Sequence, residues 1–343
     1  MPDKKIDLTL LEEEELLRLK ISDLPIRLEG TWLEDCVGQL YSELEQNGVR
    51  FRPVCYLADE WLTPDGEPVV GIPFYLAHPV LMKLEKKMVL EVEGGTKQWC
   101  MKLLRHETGH AINYAFKLHR RKKWHNIFGP FSKEYEDTYR FRPYSKNFVR
   151  HLEDYYAQYH PDEDFAETFA VWLTPDLDWR AQYKGWKALD KLEYVNELMK
   201  DIADKSPQVP CGKKYWAAAK LRITLKTFYK KKRLSYEENF PDFHDANLKK
   251  IFSVWTEDQD KKTSRFVADV IKKYKKDIRN NVSAWTGEKK YIIDDLLNTI
   301  GERCRALRLL AAPDEALTIL NLSSYITSLI MKYLYTGNFR GDR

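Results

Sequence analysis

In the segment LLRHETGHAINYAF, Leu103 to Phe116, His106 and His110 stand four residues apart, with Glu107 directly after the first. On a helix that spacing puts both imidazoles on one face, about one turn apart. Two imidazole nitrogens so placed suit a single zinc ion, and the intervening glutamate suits a general base acting on a water. The flanking Leu103, Leu104, Ala111, Ile112, Ala115 and Phe116 predict a buried amphipathic helix, which is the setting that chemistry requires. The plain alternative is a helix with two surface histidines and a salt-bridging glutamate.

A catalytic zinc needs a third protein ligand and an open position. An extended HExxHxxGxxH pattern would want Gly at 113 and His at 116. The chain has Asn113 and Phe116, so that arrangement is excluded. A better candidate lies downstream in HPDEDFAETFAVWL, His160 to Leu173. Pro161 at the first helical position, followed by Asp162, Glu163 and Asp164, marks a helix start. Phe165, Phe169, Trp172 and Leu173 form one apolar stripe. Glu163, Ala166, Glu167 and Ala170 form a second face, whose small residues allow close approach to the first helix. The reading takes Glu163 as third ligand and Glu167 as acceptor for the other N–H of a ligand histidine. Asp164 and His160 remain alternatives for the third ligand, although neither shares the face of Glu167.

The elements that must position these residues are mixed in type. Trp32, Leu33, Cys36, Val37, Leu40, Tyr41 and Leu44 predict a helix over residues 31–46, within a helical N-terminal part spanning 1–48. From Val49 the pattern becomes β-branched and aromatic, is broken by the turn signal TPDGEP, and resumes in VVGIPFYLAHP. Pro73 cannot donate to a ladder, so that second strand is expected at a sheet edge, where Ile72, Pro73 and Phe74 would offer a lane to an extended peptide. Helical spacing recurs over 79–90, 98–116, 161–173 and 186–201, with 117–160 read as loop. Beyond about residue 240 the chain turns Lys-rich and helical over 263–280, 289–310 and 314–335. The expected architecture is α+β: residues 1–240 with a small mixed sheet and active-site helices, then an all-helical C-terminal region, 241–343.

The paired segments, with PYSKNFVRHL (Pro143 to Leu152) and YKGWKALDKLEYVNELM (Tyr183 to Met199), resemble the zinc-binding metallopeptidases of the gluzincin type, over roughly residues 50–240. The resemblance implies a zincin-like fold, one zinc per chain, a peptide or protein substrate, and hydrolysis with Glu107 as general base. In that group, and in the similar lethal-factor-type peptidases, the first glutamate of an E-x-x-x-E pair is the ligand. That carries onto Glu163, with Glu167 in the supporting position. Lethal-factor-type sites also have a tyrosine seven residues before the ligand, and Tyr156 stands there, which implies a donor to the oxyanion. Relatives of this group often begin with a cysteine zinc ribbon, which this chain lacks.

Composition bounds the rest. Among 343 residues, 56 Lys+Arg face 52 Asp+Glu, a net charge of +4, so wholesale affinity for nucleic acid or membranes is not implied. Five cysteines without a CxxC pair exclude a disulfide framework. No signal peptide or apolar run of membrane-spanning length is evident, and a cytoplasmic location is expected. Two competing readings remain. Residues 212–233 carry nine Lys/Arg and no acid, interleaved with Tyr215, Trp216, Phe228 and Tyr229, a pattern compatible with phosphate contacts and base stacking. A peptidase fold kept as a silent interaction scaffold is the other.

Overall fold

A computed structural model describes residues 6–89, 92–135, 142, 144–152, 155–210, 212–233, 244–256 and 264–336. The chain divides into two compact units, Met1–Lys86 with Val92–Phe228, and Lys87–Glu91 with Tyr229–Arg343. The secondary structure is mixed and mostly helical with little sheet, in keeping with the α+β expectation.

The N-terminal part contains α1 (Glu13–Arg18) and α2 (Trp32–Gln46). Residues between them form only a short 3₁₀ turn and extended chain, so the N-terminal stretch is less helical than expected. The Thr31 hydroxyl caps α2, and Leu33, Cys36, Leu40 and Leu44 give it a buried stripe. Strands β1 (Val54–Ala58) and β2 (Val69–Pro73) then pair in parallel, with Val54 opposite Val69 and Ala58 opposite Pro73. The connection doubles back, and Leu62 exchanges both backbone hydrogen bonds with Gly71 from the far side of β2, at 2.8 and 3.3 Å.

That arrangement corrects the edge-strand expectation. β2 lies between β1 and the Leu62 bridge, and Pro73 is tolerated because it ends the strand. Ile72, Pro73 and Phe74 are buried, so they present no lane to a substrate.

After α3 (Pro79–Val89) come the two helices that matter most, α4 (Lys97–Ala115) and α6 (Pro161–Leu173), with α5 (Lys122–Phe128) between them in sequence. The region 117–160 was expected to be loop. It hides α5 because a seven-residue helix buries only Trp124 and Phe128, too few positions to show a period. Every residue of α4 from Leu103 to Ala115 is buried, as are all thirteen of α6. A bidentate ion pair from Arg105 Nε and Nη2 to Glu43, both at 2.8 Å, ties α4 to α2. α7 (Trp179–Gln182) and α8 (Ala188–Ile202) follow, with α8 packed on α6, and then α9 (Leu225–Arg233).

The second unit holds α10 (Asp245–Ile251), α11 (Val267–Thr286), α12 (Lys290–Ala306) and α13 (Glu315–Thr336). It is not all-helical. β3 (Ser253–Val254) pairs antiparallel with β4 (Leu309–Leu310), two residues each, where the chain leaves α10 and α12. Among the described residues no helix is long and apolar enough to cross a membrane.

Candidate metal centre

Close approach of α4 and α6 creates the site. Gly109 lies in the HExxH segment, and a Cβ built there would stand 2.8 Å from Ala166 Cα and 3.1 Å from Ala166 O. Only glycine at 109 and a small residue at 166 permit that contact. It brings the polar face of α6 against the histidine face of α4.

His106 Nε2, His110 Nε2 and Glu163 Oε2 converge. The two imidazole nitrogens are 3.2 Å apart, and the carboxylate oxygen lies 3.1 Å from the first and 3.2 Å from the second. Ligand atoms 2.0–2.1 Å from a tetrahedral zinc are about 3.3 Å apart, so the spacing fits one such ion. The opposite ring nitrogens are each held by a carboxylate, His106 Nδ1 by Glu167 Oε1 and His110 Nδ1 by Asp162 Oδ2, both at 2.9 Å. With Nδ1 donating to those acceptors, the Nε2 lone pairs face each other and a carboxylate. Without a proton or a cation between them that grouping is repulsive, and a metal ion resolves it.

The carboxylates are themselves fixed. Glu167 Oε2 accepts from Leu152 N at 2.9 Å. Asp162 accepts from Asn113 Nδ2 at 2.7 Å and from the Tyr114 hydroxyl at 2.6 Å. Glu163 Oε1 accepts from the Tyr135 hydroxyl at 3.1 Å. Asp164 pairs with Lys191 Nζ at 2.5 Å. Asp162, Glu163, Asp164 and Glu167 are all buried. Four buried carboxylates served by one lysine and two imidazoles call for further positive charge, which a divalent cation supplies.

The titration shifts follow from the same geometry. Burial alone would lower the His106 pKa, but its hydrogen bonds to the carboxylates of Glu163 and Glu167 outweigh that and lift it to about 9. His110 is likewise raised, against burial, by the charges of Asp162 and Glu163. Burial would push Glu163 up, yet the two imidazoles hold it well below the usual carboxylate range. In the metal-free protein, protons on the imidazoles therefore occupy the place of a cation. Glu107 differs. Burial raises its pKa, the nearby imidazoles oppose that, and Thr63 Oγ1 donates to its backbone carbonyl at 3.0 Å.

Of the residues expected from sequence, His106, His110, Glu163 and Glu167 come together as described, and Glu107 is buried on the same helix. Tyr156 lies in a short 3₁₀ turn with its ring centroid 5.6 Å from that of His106. The alternative ligands are engaged elsewhere. His160 caps α6 through Nδ1 and meets Lys133 O through Nε2 at 2.7 Å, while Asp164 faces Lys191. Sequence reasoning missed Asp162 and Tyr135. Asp162 had a usable signal: both imidazoles of such a pair need an Nδ1 partner, and only Glu167 had been assigned. Tyr135 had none, because it comes from irregular chain. In the basic stretch 212–233, Phe228 and Tyr229 are buried, which leaves only Tyr215 and Trp216 exposed among its four aromatics.

A helix pair presenting two imidazoles and a carboxylate to one point defines a class of metal-binding site. Residues 100–205, which contain α6 and all but the first turn of α4, match the model of a family described as "putative zinc-binding metallo-peptidase". No curated protein and no solved structure matches the chain.

Proposed function

We propose that the protein is a zinc-dependent metallopeptidase of the gluzincin type on a zincin-like fold, binding one zinc per chain and cleaving peptide bonds. The observation that carries this reading is the convergence of His106 Nε2, His110 Nε2 and Glu163 Oε2 within 3.2 Å, each imidazole backed by a carboxylate. The family match over residues 100–205 supports the same reaction class.

Zinc, when bound, supplies a Lewis acid that polarises a carbonyl and acidifies a water. His106, His110 and Glu163 would hold it. Glu167 and Asp162 keep the Nδ1 protons in place, which fixes the tautomer and the ring orientation. Glu107 takes the proton of the attacking water and returns it to the leaving amine, and burial, which raises its pKa, makes it a stronger base than an exposed carboxylate. The Tyr156 hydroxyl is assigned as donor to the developing oxyanion.

The test is elemental analysis of purified wild type beside Glu163→Ala. About one zinc per chain in the wild type, clearly reduced in the variant, is the expected result. Zinc retained by the variant would remove Glu163 from the ligand set. A wild type that takes up no zinc after incubation with it would overturn the reading and favour a silent scaffold.

A further inference from the structure

Glu163 offers one oxygen to the meeting point of the two imidazoles and turns the other away. Oε2 lies 3.1 Å from His106 Nε2 and 3.2 Å from His110 Nε2, whereas Oε1 accepts from the Tyr135 hydroxyl at 3.1 Å. The two oxygens of a carboxylate are equivalent donors to a metal, and the last torsion of a glutamate is soft. Nothing within Glu163 itself therefore decides which oxygen faces an ion, or whether both do. The decision has to come from a neighbour. Among the described residues, the Tyr135 hydroxyl is the one donor to Oε1.

Tyr135 reaches that oxygen from an unpromising place. It belongs to irregular chain and is 51% exposed, yet its hydroxyl meets a side chain that is 6% exposed. A half-exposed tyrosine on such chain keeps its direction only if its ring is held, and His160 holds it. The two rings stack, with centroids 3.9 Å apart and planes 16° from parallel. His160 is itself pinned at both nitrogens. Its Nδ1 accepts from Asp162 N at 3.1 Å, which caps α6, so the ring proton sits on Nε2 and is donated to Lys133 O at 2.7 Å. Lys133 stands two residues before Tyr135. Tyr159 adds an edge-on contact to the Tyr135 ring, 5.4 Å between centroids. The cap of α6 thus carries the chain that brings a phenol back onto the third residue of the same helix.

We infer that Tyr135 is a positioning residue for the metal centre: its hydroxyl occupies Oε1, so that Glu163 presents Oε2 alone to the ion, and His160 is the bracket that keeps the phenol in place. The inference rests on the zinc reading of His106, His110 and Glu163. It gives His160 a part in the site without making it a ligand. Two effects of the phenol oppose each other. Its donation draws some charge from the carboxylate, which weakens a bond to metal. It also orders the side chain and spares a buried oxygen from lacking a partner, without which the carboxylate would turn and take Oε2 off the meeting point. The second effect dominates, since removing a partner behind a ligand typically costs about 10–100-fold in metal affinity. Binding through one oxygen also leaves room for the open position that a catalytic zinc requires.

The experiment measures zinc affinity at one fixed pH, by competition with a chelating indicator, on metal-stripped full-length wild type, Tyr135→Phe, Tyr135→Leu and Tyr144→Phe. Tyr135→Phe keeps the ring and its stack on His160 and removes only the hydroxyl. It should bind zinc about tenfold more weakly than wild type, and Tyr135→Leu should bind no better than Tyr135→Phe. Tyr144→Phe, which removes a hydroxyl from a side chain 92% exposed, should match the wild type. If Tyr135 served packing alone, Tyr135→Phe would keep wild-type affinity and only Tyr135→Leu would lose it. That result overturns the inference, as does equal weakening by Tyr144→Phe. Failure of the zinc reading looks different, because the wild type itself would then take up no zinc, and the inference would fall with it. Far-ultraviolet dichroism of the metal-free variants separates loss of the site from loss of the fold.

Discussion

The packing of α4 on α6 and that of α11 on α12 are both helix-on-helix contacts, made from opposite materials. α6 buries all thirteen residues, four of them carboxylates, against a face of α4 that carries two histidines and a glutamate. α11 and α12 pack on each other, and their buried residues include Val267, Val270, Ile271, Ile278 and Val282 on the first and Ile292, Ile293, Leu297 and Ile300 on the second. Their charges meet at the margin, as where Lys275 and Arg279 converge on Asp294 at 2.6 and 2.9 Å. The second contact is what hydrophobic burial yields unaided. The first runs against it, because each buried carboxylate must be matched by a donor or a cation. Such an arrangement belongs to a region whose sequence answers to chemistry as well as to stability.

The sharpest way to break the comparison is to remove chemistry from the α4–α6 contact without changing its packing. Glu107→Gln keeps shape and volume, and none of the three converging ligand atoms belongs to it. Peptide hydrolysis should fall at least about 100-fold, the scale of a lost general base, with zinc content unchanged by elemental analysis. Residual turnover above about 1% of wild type would count against the assigned role.

The second test compares packing directly, through one glycine in each contact. At Gly109 a methyl group would meet the Ala166 backbone at 2.8 Å, whereas at Gly301 in α12 the nearest atom is Ile271 Cγ2 at 3.7 Å, an ordinary contact. Gly109→Ala should therefore push the helices apart and destabilise the first unit by roughly 1–3 kcal/mol, with weakened zinc retention as the ligands separate. Gly301→Ala should be neutral or stabilising by up to about 1 kcal/mol, since alanine is the better helix former. Urea unfolding of both variants decides the matter. Equal destabilisation would mean that the two contacts are equally tight.

What was legible in the sequence follows from the same contrast. The helices of both contacts were readable, because α4, α6, α11 and α12 each repeat apolar residues at helical spacing, although α11 runs to Thr286, six residues past the expected 263–280. His106, Glu107, His110, Glu163 and Glu167 were readable because i, i+4 spacing is a local property of one helix. Asp162 was visible only as a favourable helix-start charge, and its bond to His110 depends on two helices meeting. Tyr135 reaches Glu163 from irregular chain, where residue spacing says nothing about direction. The Arg105–Glu43 pair spans 62 positions and has no local signature. The sheet misled for a similar reason. Pro73 was read as marking an edge, but the Leu62 bridge that covers β2 comes from a turn whose path the dipeptide signals do not specify.

The smallest expected effect separates the units by pH. His244, at the start of α10, is buried with Nδ1 2.9 Å from the Tyr325 hydroxyl of α13. Burial lowers its pKa to about 4, with Asp245 opposing and Arg303 assisting. An unfolded histidine titrates near 6.5, so between about 4 and 6.5 the unfolded chain binds the extra proton. The contribution of His244 to stability is thus full above 6.5 and is lost as pH falls towards 4. His106 in the metal-free first unit is shifted the other way, to about 9. Hydrogen exchange of α13 amides, corrected for intrinsic rates, should show protection falling by on the order of 1 kcal/mol from pH 7 to pH 5. His244→Gln should remove most of that change while leaving the α4 and α6 amides as they were. A wild-type α13 with flat protection over this range would mean that His244 accepts a proton without leaving its place, and that its surroundings between α10 and α13 are less dry than its burial suggests.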